Sequence, residues 1–242
     1  MGTDIHLCVE MRDPFDVWHS LDHWSTDEYD EPGQQSVSYE NRWYTHRDYD
    51  VFAILADVRN GRGFAGIVTG DGFVPISADR GVPDDMSPEV RAYHEHGGLG
   101  DHSFSHLTLR DLVEYDWTQR TKVCGVVDAW QWHRWDGYRR EHGEMPHEYC
   151  ADVSGPNIRI VTEPEMRQAV GELRGKARES QTHLDEKAFK SLYGMHTRFV
   201  MERTYYQCAD SFWSKCMPRL LSAAFLHKLS HDDLRIVFGF DS

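Results

Sequence analysis

Segments of alternating polarity lie near both ends of this 242-residue chain. Residues 3–11 place Ile5, Leu7 and Val9 at every second position, and residues 234–241 repeat the pattern with larger apolar side chains. A period of two is typical of a β-strand with one buried face. Both segments are therefore predicted strands. The opposite face of the first one carries Asp4, His6, Cys8 and Glu10.

Helices between these strands are indicated by capping residues and by helical spacing of apolar positions. Thr108 is followed by Asp111, and Thr162 by Glu165, so that each pair can form a capping box in which the side chains satisfy free N–H groups of the first turn. We expect both threonines to be N-caps. Spacing and turn residues also predict helices at residues 50–58, from Pro88, and at 205–229 with a break near Pro218.

Short β-branched or alternating runs predict further strands at 123–127, 158–161 and 195–203. Residues 60–87 and 97–107 are rich in glycine, proline or serine and are predicted loops. This mixture predicts an α+β fold, a mixed β-sheet with helices packed on one face. We expect residues 1–242 to form a single domain, in which residues 13–120 are a long, loop-rich, His/Trp-rich excursion that covers the sheet.

The chain is acidic, with 40 Asp and Glu against 26 Lys and Arg and a net charge of −14. This charge repels a phosphate backbone, so no broad nucleic-acid-binding surface is expected, although a small anion pocket is compatible with it. Residues 13–50 contain ten acidic residues, two basic residues and several tryptophans and tyrosines. We interpret this segment as ordered and packed; the alternative is a mobile acidic loop.

No apolar run approaches the ~20 residues that a membrane-spanning helix needs. Asp4 and Glu10 interrupt the N-terminal apolar stretch, so no signal peptide is predicted either. The five cysteines are odd in number and form no C-x-x-C pair, which is typical of free thiols in a reducing compartment. A cytoplasmic protein without a membrane partner is expected.

The polar face of the predicted sheet is the first candidate site, with Asp4, His6 and Glu10 as candidate catalytic residues. Neighbouring strands would add candidate ligand-binding residues: Arg159, His196, Arg198 and Arg235. Arginine donates a planar fork to two oxygens at once and so suits a phosphate. The alternative is a solvated face with cross-strand ion pairs. If the excursion buries this face, its charges require a ligand, a metal or complete pairing.

Metal binding is the second candidate, because histidines recur at chelating distances in the sequence. His102 and His106 are the candidate ligands of a divalent metal. Stacked or hydrogen-bonded histidines are the alternative, since a pair four residues apart chelates on a helix and these two lie in a predicted loop. Tryptophans 130, 132 and 135 could stack on a base or sugar, although packing in a core is their commoner role.

Four stretches carry a resemblance to a family. These stretches are Met1–Leu7, Tyr49–Asn60, residues 107–117 from Leu-Thr-Leu to Tyr-Asp-Trp, and Arg235–Phe238. With them the chain resembles, over nearly its whole length, a family of uncharacterised proteins from tailed phages and bacterial genomes. The resemblance implies a phage or prophage origin and action in a host cytoplasm, and it implies no activity.

Two functions follow as expectations, and a structural or accessory phage protein without chemistry is a third alternative. The first is binding or processing of a small phosphorylated or nucleotide-like ligand between the polar sheet face and the excursion, by a hydrolase or transferase with a metal as candidate cofactor. The second is an acidic protein-binding effector, for instance a phage inhibitor of a host factor, which uses residues 13–50 as its working surface. An exposed, mobile acidic segment would favour the effector, and one packed over the sheet would favour the pocket.

Overall fold

The structure is a computed structural model that describes residues 2–26, 34–60, 73–77 and 80–241. It contains helices and mixed sheets, so the predicted α+β class is confirmed. The contacts group the chain into two compact units: unit 1 contains the described parts of residues 2–119 together with 204–241, and unit 2 contains residues 120–203. The single-domain organisation with its excursion at 13–120 stays a prediction, and the units are described separately.

The described strands follow in chain order: β1 (Ile5–Arg12), β2 (Trp18–Ser20), β3 (Trp24–Ser25), β4 (Ser36–Val37), β5 (His102–Thr108), β6 (Arg120–Asp128), β7 (Arg159–Val161), β8 (Met195–Thr204) and β9 (Leu234–Phe240). The described α-helices are α1 (Tyr49–Ala56), α2 (Pro88–Glu95), α3 (Leu109–Glu114), α4 (Ala129–Trp135), α5 (Tyr138–Glu141), α6 (Glu163–Glu179), α7 (Tyr205–Cys208), α8 (Asp210–Lys215) and α9 (Met217–His227). Short 3₁₀ helices span Tyr39–Asn41 and Glu186–Leu192.

Unit 1 is built on a four-stranded sheet in the order β2-β1-β9-β5. The two terminal strands pair antiparallel, with Leu7 opposite Phe238 and Glu10 opposite Arg235. Every residue of β9 is buried. A strand that is buried at consecutive positions has both faces covered, because its side chains alternate between the faces. The terminal segments are thus strands as predicted, and they lie side by side at the centre of the unit.

Different segments cover the two faces of this sheet. On the face of Phe240, helix α1 contributes Phe52, whose ring lies 5.1 Å from that of Phe240. On the opposite face, Cys8 and Val237 form a buried cluster with residues of α2 and its flanking loops, including Val90. Residues 82–99 of the predicted excursion therefore pack on the face of β1 that the sequence showed as polar.

Strand β5 corrects the prediction that residues 97–107 form a loop. The glycines are confined to the turn before the strand, where Gly97 and Gly100 adopt positive φ angles of 80° and 89°. Ser103 has a φ of 52°, and the register against β9 shifts between His102 and Ser105. A bulge of this kind lets an edge strand begin directly after a glycine turn and interrupts the simple alternation that marks a strand in the sequence.

Both predicted N-caps are confirmed. The Thr108 hydroxyl accepts a hydrogen bond from the Asp111 backbone N–H, the Thr162 hydroxyl accepts one from Glu165, and both capping boxes are complete. The predicted helix at 205–229 is divided into α7, α8 and α9. Its breaks fall at Ala209 and Cys216, and Pro218 lies in the first turn of α9, where a missing N–H costs no helical bond.

Unit 2 contains a three-stranded sheet in the order β6-β8-β7. Alternate residues of β8, including Phe199 and Met201, face a core that α4 and α6 complete with Trp132, Trp135 and Met166. The other residues of β8 lie on the outer face, and the 3₁₀ helix 186–192 packs Phe189 into the core. Trp132 and Trp135 are therefore core residues, whereas Trp130 is partly exposed at the edge of the core.

Candidate functional site

The residues predicted to share one polar sheet face lie on two different sheets. Asp4, His6, Glu10 and Arg235 belong to unit 1, whereas Arg159, His196 and Arg198 belong to unit 2. The expectation of a common face is therefore wrong. Its physical reason is that alternation shows which residues of one strand share a face but carries no information about which strands pair, and here the terminal strands pair with each other.

Glu10 and Arg235 form a buried ion pair at the centre of the unit 1 sheet. The Arg235 Nε–H donates to Glu10 Oε2 at 2.8 Å, and the side chains are 5% and 0% exposed. The other oxygen, Oε1, accepts the Ser87 backbone N–H at 2.6 Å. Arg235 also pairs with Asp85 at 2.7 Å and lies 3.8 Å from the ring centre of Trp18. Both charges are thus fully partnered without a ligand, and together they hold residues 85–87 and β2 against the sheet.

Asp4 and His6 form a second network at the edge of unit 1. His6 Nε2 lies 3.0 Å from Asp241 Oδ2, and Arg47 donates to both carboxylate oxygens of Asp4 at 2.8 and 2.5 Å. The hydrogen bonds from Arg47 hold the pKa of Asp4 below its usual value. The side chain of Asp4 is 46% exposed and that of His6 18%, so neither is freely solvated. Asp4 and His6 therefore already have protein partners, and their catalytic role stays a prediction.

His102 and His106 do not form a chelating pair, because they lie on opposite faces of the unit 1 sheet. His102 pairs in register with Phe240 and stacks on its ring, whereas His106 pairs with Val237 and donates from Nδ1 to the Gly81 carbonyl at 3.2 Å. Side chains at 240 and 237 point to opposite faces of β9. Within the described ranges, no group of three or more histidine, cysteine or carboxylate side chains is placed to hold a metal ion. A bound metal stays a prediction.

The two predicted arginines of unit 2 are exposed. Arg198 pairs with Asp152 at 2.8 Å, with side chains 60% and 67% exposed, and Arg159 lies at the exposed end of β7. An ion pair in this setting contributes little to stability and does not by itself form a pocket. His196, another predicted ligand-binding residue, lines a cavity.

This cavity, which we call the unit 2 pocket, has a volume of about 470 Å³. Small-molecule sites typically have volumes of roughly 300–1,000 Å³ and combine mostly apolar walls with a few polar groups. The described residues that line it come from the end of β6, α4, the loop before β7, the 3₁₀ helix 186–192, the turn at 193–194 and the start of β8. They are Asp128, Ala129, Trp130, Ile158, Glu186, Lys187, Phe189, Lys190, Leu192, Tyr193, Gly194 and His196.

Local sequence explains how the polar groups of the pocket are placed. Lys187 and Lys190 are three residues apart on a 3₁₀ helix, so they lie on the same side of it. Neither forms an ion pair with a residue that the structure describes. His196 directs its Nδ1 to the Gly194 carbonyl at 2.9 Å, and a carbonyl accepts only, so the proton lies on Nδ1 and Nε2 remains the acceptor of a neutral ring. The cavity is thus lined by two cations and one imidazole, and by two carboxylates, of which Asp128 is engaged as the N-cap of α4 and Glu186 is exposed.

Aromatic side chains provide the apolar part of the pocket. Tyr193 is 84% exposed, and Trp130 packs at a ring distance of 5.3 Å on Phe189, which fixes the indole at the cavity wall. The sequence identified Trp130 only as one of three tryptophans with a stacking potential. The three-residue spacing of Lys187 and Lys190 is visible in the sequence, but it indicates that the two lysines share one side only if the segment is known to be a 3₁₀ helix.

Comparison with protein-family models, with curated proteins and with solved structures found no match to this chain. In the part of the chain that the structure describes, no helix is both long and apolar enough to span a membrane. Any functional conclusion therefore depends on the geometry of the chain itself.

Proposed function

We propose that this protein binds a small phosphorylated, nucleotide-like ligand, and that the unit 2 pocket is its site. The supporting observation is that one cavity of suitable volume presents the rings of Trp130 and Tyr193 together with the ammonium groups of Lys187 and Lys190. A base or another planar ring gains by stacking on aromatic side chains, and a phosphate gains by charge-assisted hydrogen bonds from lysine.

His196 extends the proposal toward catalysis. A neutral imidazole with its proton held on Nδ1 has a free Nε2 that can accept a proton from a nucleophile. This is the role that a general base has in a hydrolase or transferase acting on a phosphorylated substrate. The candidate therefore moves from the unit 1 sheet, where Glu10 and Arg235 already neutralise each other, to the pocket that contains His196.

A phage or prophage origin and action in a host cytoplasm belong to the same proposal. They are supported by the resemblance of Met1–Leu7 and Tyr49–Asn60 to a family of uncharacterised proteins from tailed phages and bacterial genomes.

The competing effector hypothesis depends on residues 13–50, of which 27–33 lie outside the described residues. In the described part, several of its acidic side chains have partners within the protein. Asp22 accepts the Val9 backbone N–H at 2.9 Å, and Asp48 caps α1. Trp18 and Tyr44 are buried. These contacts favour a packed segment over a free acidic surface for 13–26 and 34–50.

The experiment is a titration of the full chain with nucleoside 5′-monophosphates, followed by calorimetry and thermal shift. We expect saturable binding, and a ligand at 100 times its dissociation constant should stabilise the fold by about 2.7 kcal/mol. Tyr193→Ala and Lys190→Gln should each weaken binding by about tenfold or more, because both side chains are exposed and contribute to the pocket rather than to the core.

Matched controls are available within unit 2. Tyr138 is 71% exposed and Lys122 is exposed on β6, and neither lines the pocket. Tyr138→Ala and Lys122→Gln should bind the nucleotides as the parent does. If no nucleotide binds the parent, or if the pocket variants bind as tightly as the controls, the proposed function is wrong and the effector hypothesis becomes the better explanation.

A further inference from the structure

A second cavity in unit 2 has an unusually basic lining. It has a volume of about 390 Å³ and lies between the C-terminal half of α6, the loop that follows it, and His133 on α4. We call it the basic cleft. The described residues that line it are His133, Arg174, Ala177, Arg178, Gln181, Thr182, His183 and Leu184. None of them is a carboxylate.

Arg174 is held in a fixed orientation in the basic cleft. Its Nε–H donates to His133 Nδ1 at 2.8 Å, and its Nη2 donates to the His133 carbonyl at 2.8 Å. A guanidinium has five N–H donors, so three remain without a partner among the described residues. A donor group whose position is already fixed loses little freedom when a ligand binds, which is the condition for strong recognition of an oxyanion.

The same hydrogen bond fixes the state of His133. Because Nδ1 accepts from Arg174, the neutral ring carries its proton on Nε2, which is then a donor. Burial lowers the pKa of His133, and the nearby positive charge of Arg174 lowers it further, so both favour the neutral ring. The ring also packs on Phe189 and Trp130 of the unit 2 pocket, at 5.0 and 5.7 Å. His133 therefore separates the basic cleft from the unit 2 pocket.

Arg178 lies one helical turn after Arg174 on the same side of α6. Two neighbouring cations without a counter-charge repel each other, and two other arginines of unit 2 have acidic partners: Arg140 pairs with Glu163 and Arg167 with Asp136. Neither Arg174 nor Arg178 has a carboxylate partner in the part of the chain that the structure describes. Arg178 lies in the last turn of α6, where the helix dipole favours a cation by ~0.3–1 kcal/mol, but Arg174 lies one turn earlier, and the effect does not require a shared cavity with two histidines.

From this geometry we infer that the basic cleft is a binding site for a phosphate-type oxyanion, distinct from the ligand site in the unit 2 pocket. Arg174 and Arg178 provide the charge, and the Gln181 amide provides a neutral donor beside them. The Thr182 hydroxyl donates to Ser180 Oγ, whose own proton goes to the Lys176 carbonyl. A tetrahedral anion with several acceptor oxygens matches such a convergent set of donors.

The test is isothermal titration of the full chain with inorganic pyrophosphate, and with citrate as a carboxylate of similar charge. We expect saturable binding of pyrophosphate, a decrease in affinity of about tenfold or more in Arg178→Gln, and no such decrease in Arg167→Gln. Arg167 lies on the same helix and carries the same charge, but it is paired with Asp136 outside the basic cleft. Arg178 is exposed, so its replacement leaves the core intact.

Four other results would contradict the inference or one part of it. Absence of saturable pyrophosphate binding, or equal losses in Arg178→Gln and Arg167→Gln, overturns the inference, because the second result reports only general electrostatic attraction. Citrate binding as tight as pyrophosphate binding overturns the assignment to phosphate. Lys190→Gln should bind pyrophosphate as the parent does, because Lys190 lines the unit 2 pocket and not the basic cleft; a loss in this variant would mean that the anion occupies the unit 2 pocket instead. Nucleotide binding to that pocket is measured separately, so either site can fail alone.

Discussion

The buried ion pair of unit 1 gives a prediction that tests the structure directly. Arg235→Met keeps much of the side-chain stem and removes the guanidinium that Glu10, Asp85 and Trp18 contact. Glu10 would then remain 0% exposed with one hydrogen bond, from the Ser87 backbone N–H. An isolated carboxylate in this position is either ionised without a counter-charge or protonated at a cost, and both outcomes lower the free energy of unfolding.

The expected magnitude follows from the burial of each partner. Removal of one member of a buried pair typically costs about 3–5 kcal/mol, a large fraction of a total stability of about 5–15 kcal/mol. Asp85 adds little to this loss, because its side chain is 63% exposed and regains water. The same substitution at Arg198, whose ion pair with Asp152 is solvated, should cost about 0–1 kcal/mol.

Urea-induced unfolding followed by tryptophan fluorescence measures both variants. A double-mutant cycle with Glu10→Gln isolates the pair: the double variant should lose less than the sum of the single losses, with a coupling of at least ~1 kcal/mol. Glu10→Gln removes the charge that Arg235→Met leaves behind, which is the physical reason for the coupling. The reasoning is refuted if Arg235→Met costs no more than Arg198→Met, or if the cycle shows no coupling.

Three further predictions concern pH, capping and backbone conformation. Burial raises the pKa of Asp22 to about 6, above the ~3.9 of an unfolded chain, so the folded state binds the proton more tightly. The free energy of unfolding should therefore fall by roughly 2–3 kcal/mol as the pH rises from about 4 to about 6. In urea titrations at these pH values, Asp22→Asn should remove this decline. Thr162→Ala should lower stability by ~1 kcal/mol in thermal melts, whereas Thr162→Ser should not, and equal melting of both would contradict the capping box. Gly194 has a φ of 77°, and an added Cβ would overlap the Asn157 carbonyl oxygen, so Gly194→Ala should lower the free energy of unfolding in urea by more than ~1 kcal/mol. Gly171→Ala on α6 is the control: its Cβ meets open space, and the substitution should be neutral or stabilising.

Local signals predicted most of the secondary structure because they act over a few residues. The capping boxes at Thr108 and Thr162 involve partners three residues away, and the alternation of β1 and β9 is visible in each strand alone. Strand β5 was missed because its bulge at Ser103 disrupts the alternation and a glycine turn precedes it. Pairing with β9 stabilises this strand, but the sequence of residues 102–108 alone does not show that pairing.

The candidate sites were harder to predict because they depend on contacts between distant residues. Glu10 meets Arg235 across 225 positions of sequence, and the sequence placed both on a polar face without showing that they neutralise each other. His196 is a predicted ligand-binding residue, but Arg235, Asp4, His6 and Glu10, which are predicted to share its polar face, belong to the other unit. The partners that it has in the unit 2 pocket, such as Lys190 and Trp130, became visible only when the 3₁₀ helix and α4 were in place.

The distribution of charge resolves an apparent conflict between an acidic chain and two proposed anion sites. Residues 120–203 contain 14 lysines and arginines and 13 aspartates and glutamates, so the excess of acid lies in the rest of the chain. Charges separated by more than about 8 Å of salt solution at physiological ionic strength are largely screened from each other. The potential at a pocket therefore depends on nearby side chains rather than on the net charge of −14. Lysines and arginines that lack carboxylate partners can attract a phosphate within such a chain, and the affinity should fall as added salt screens them.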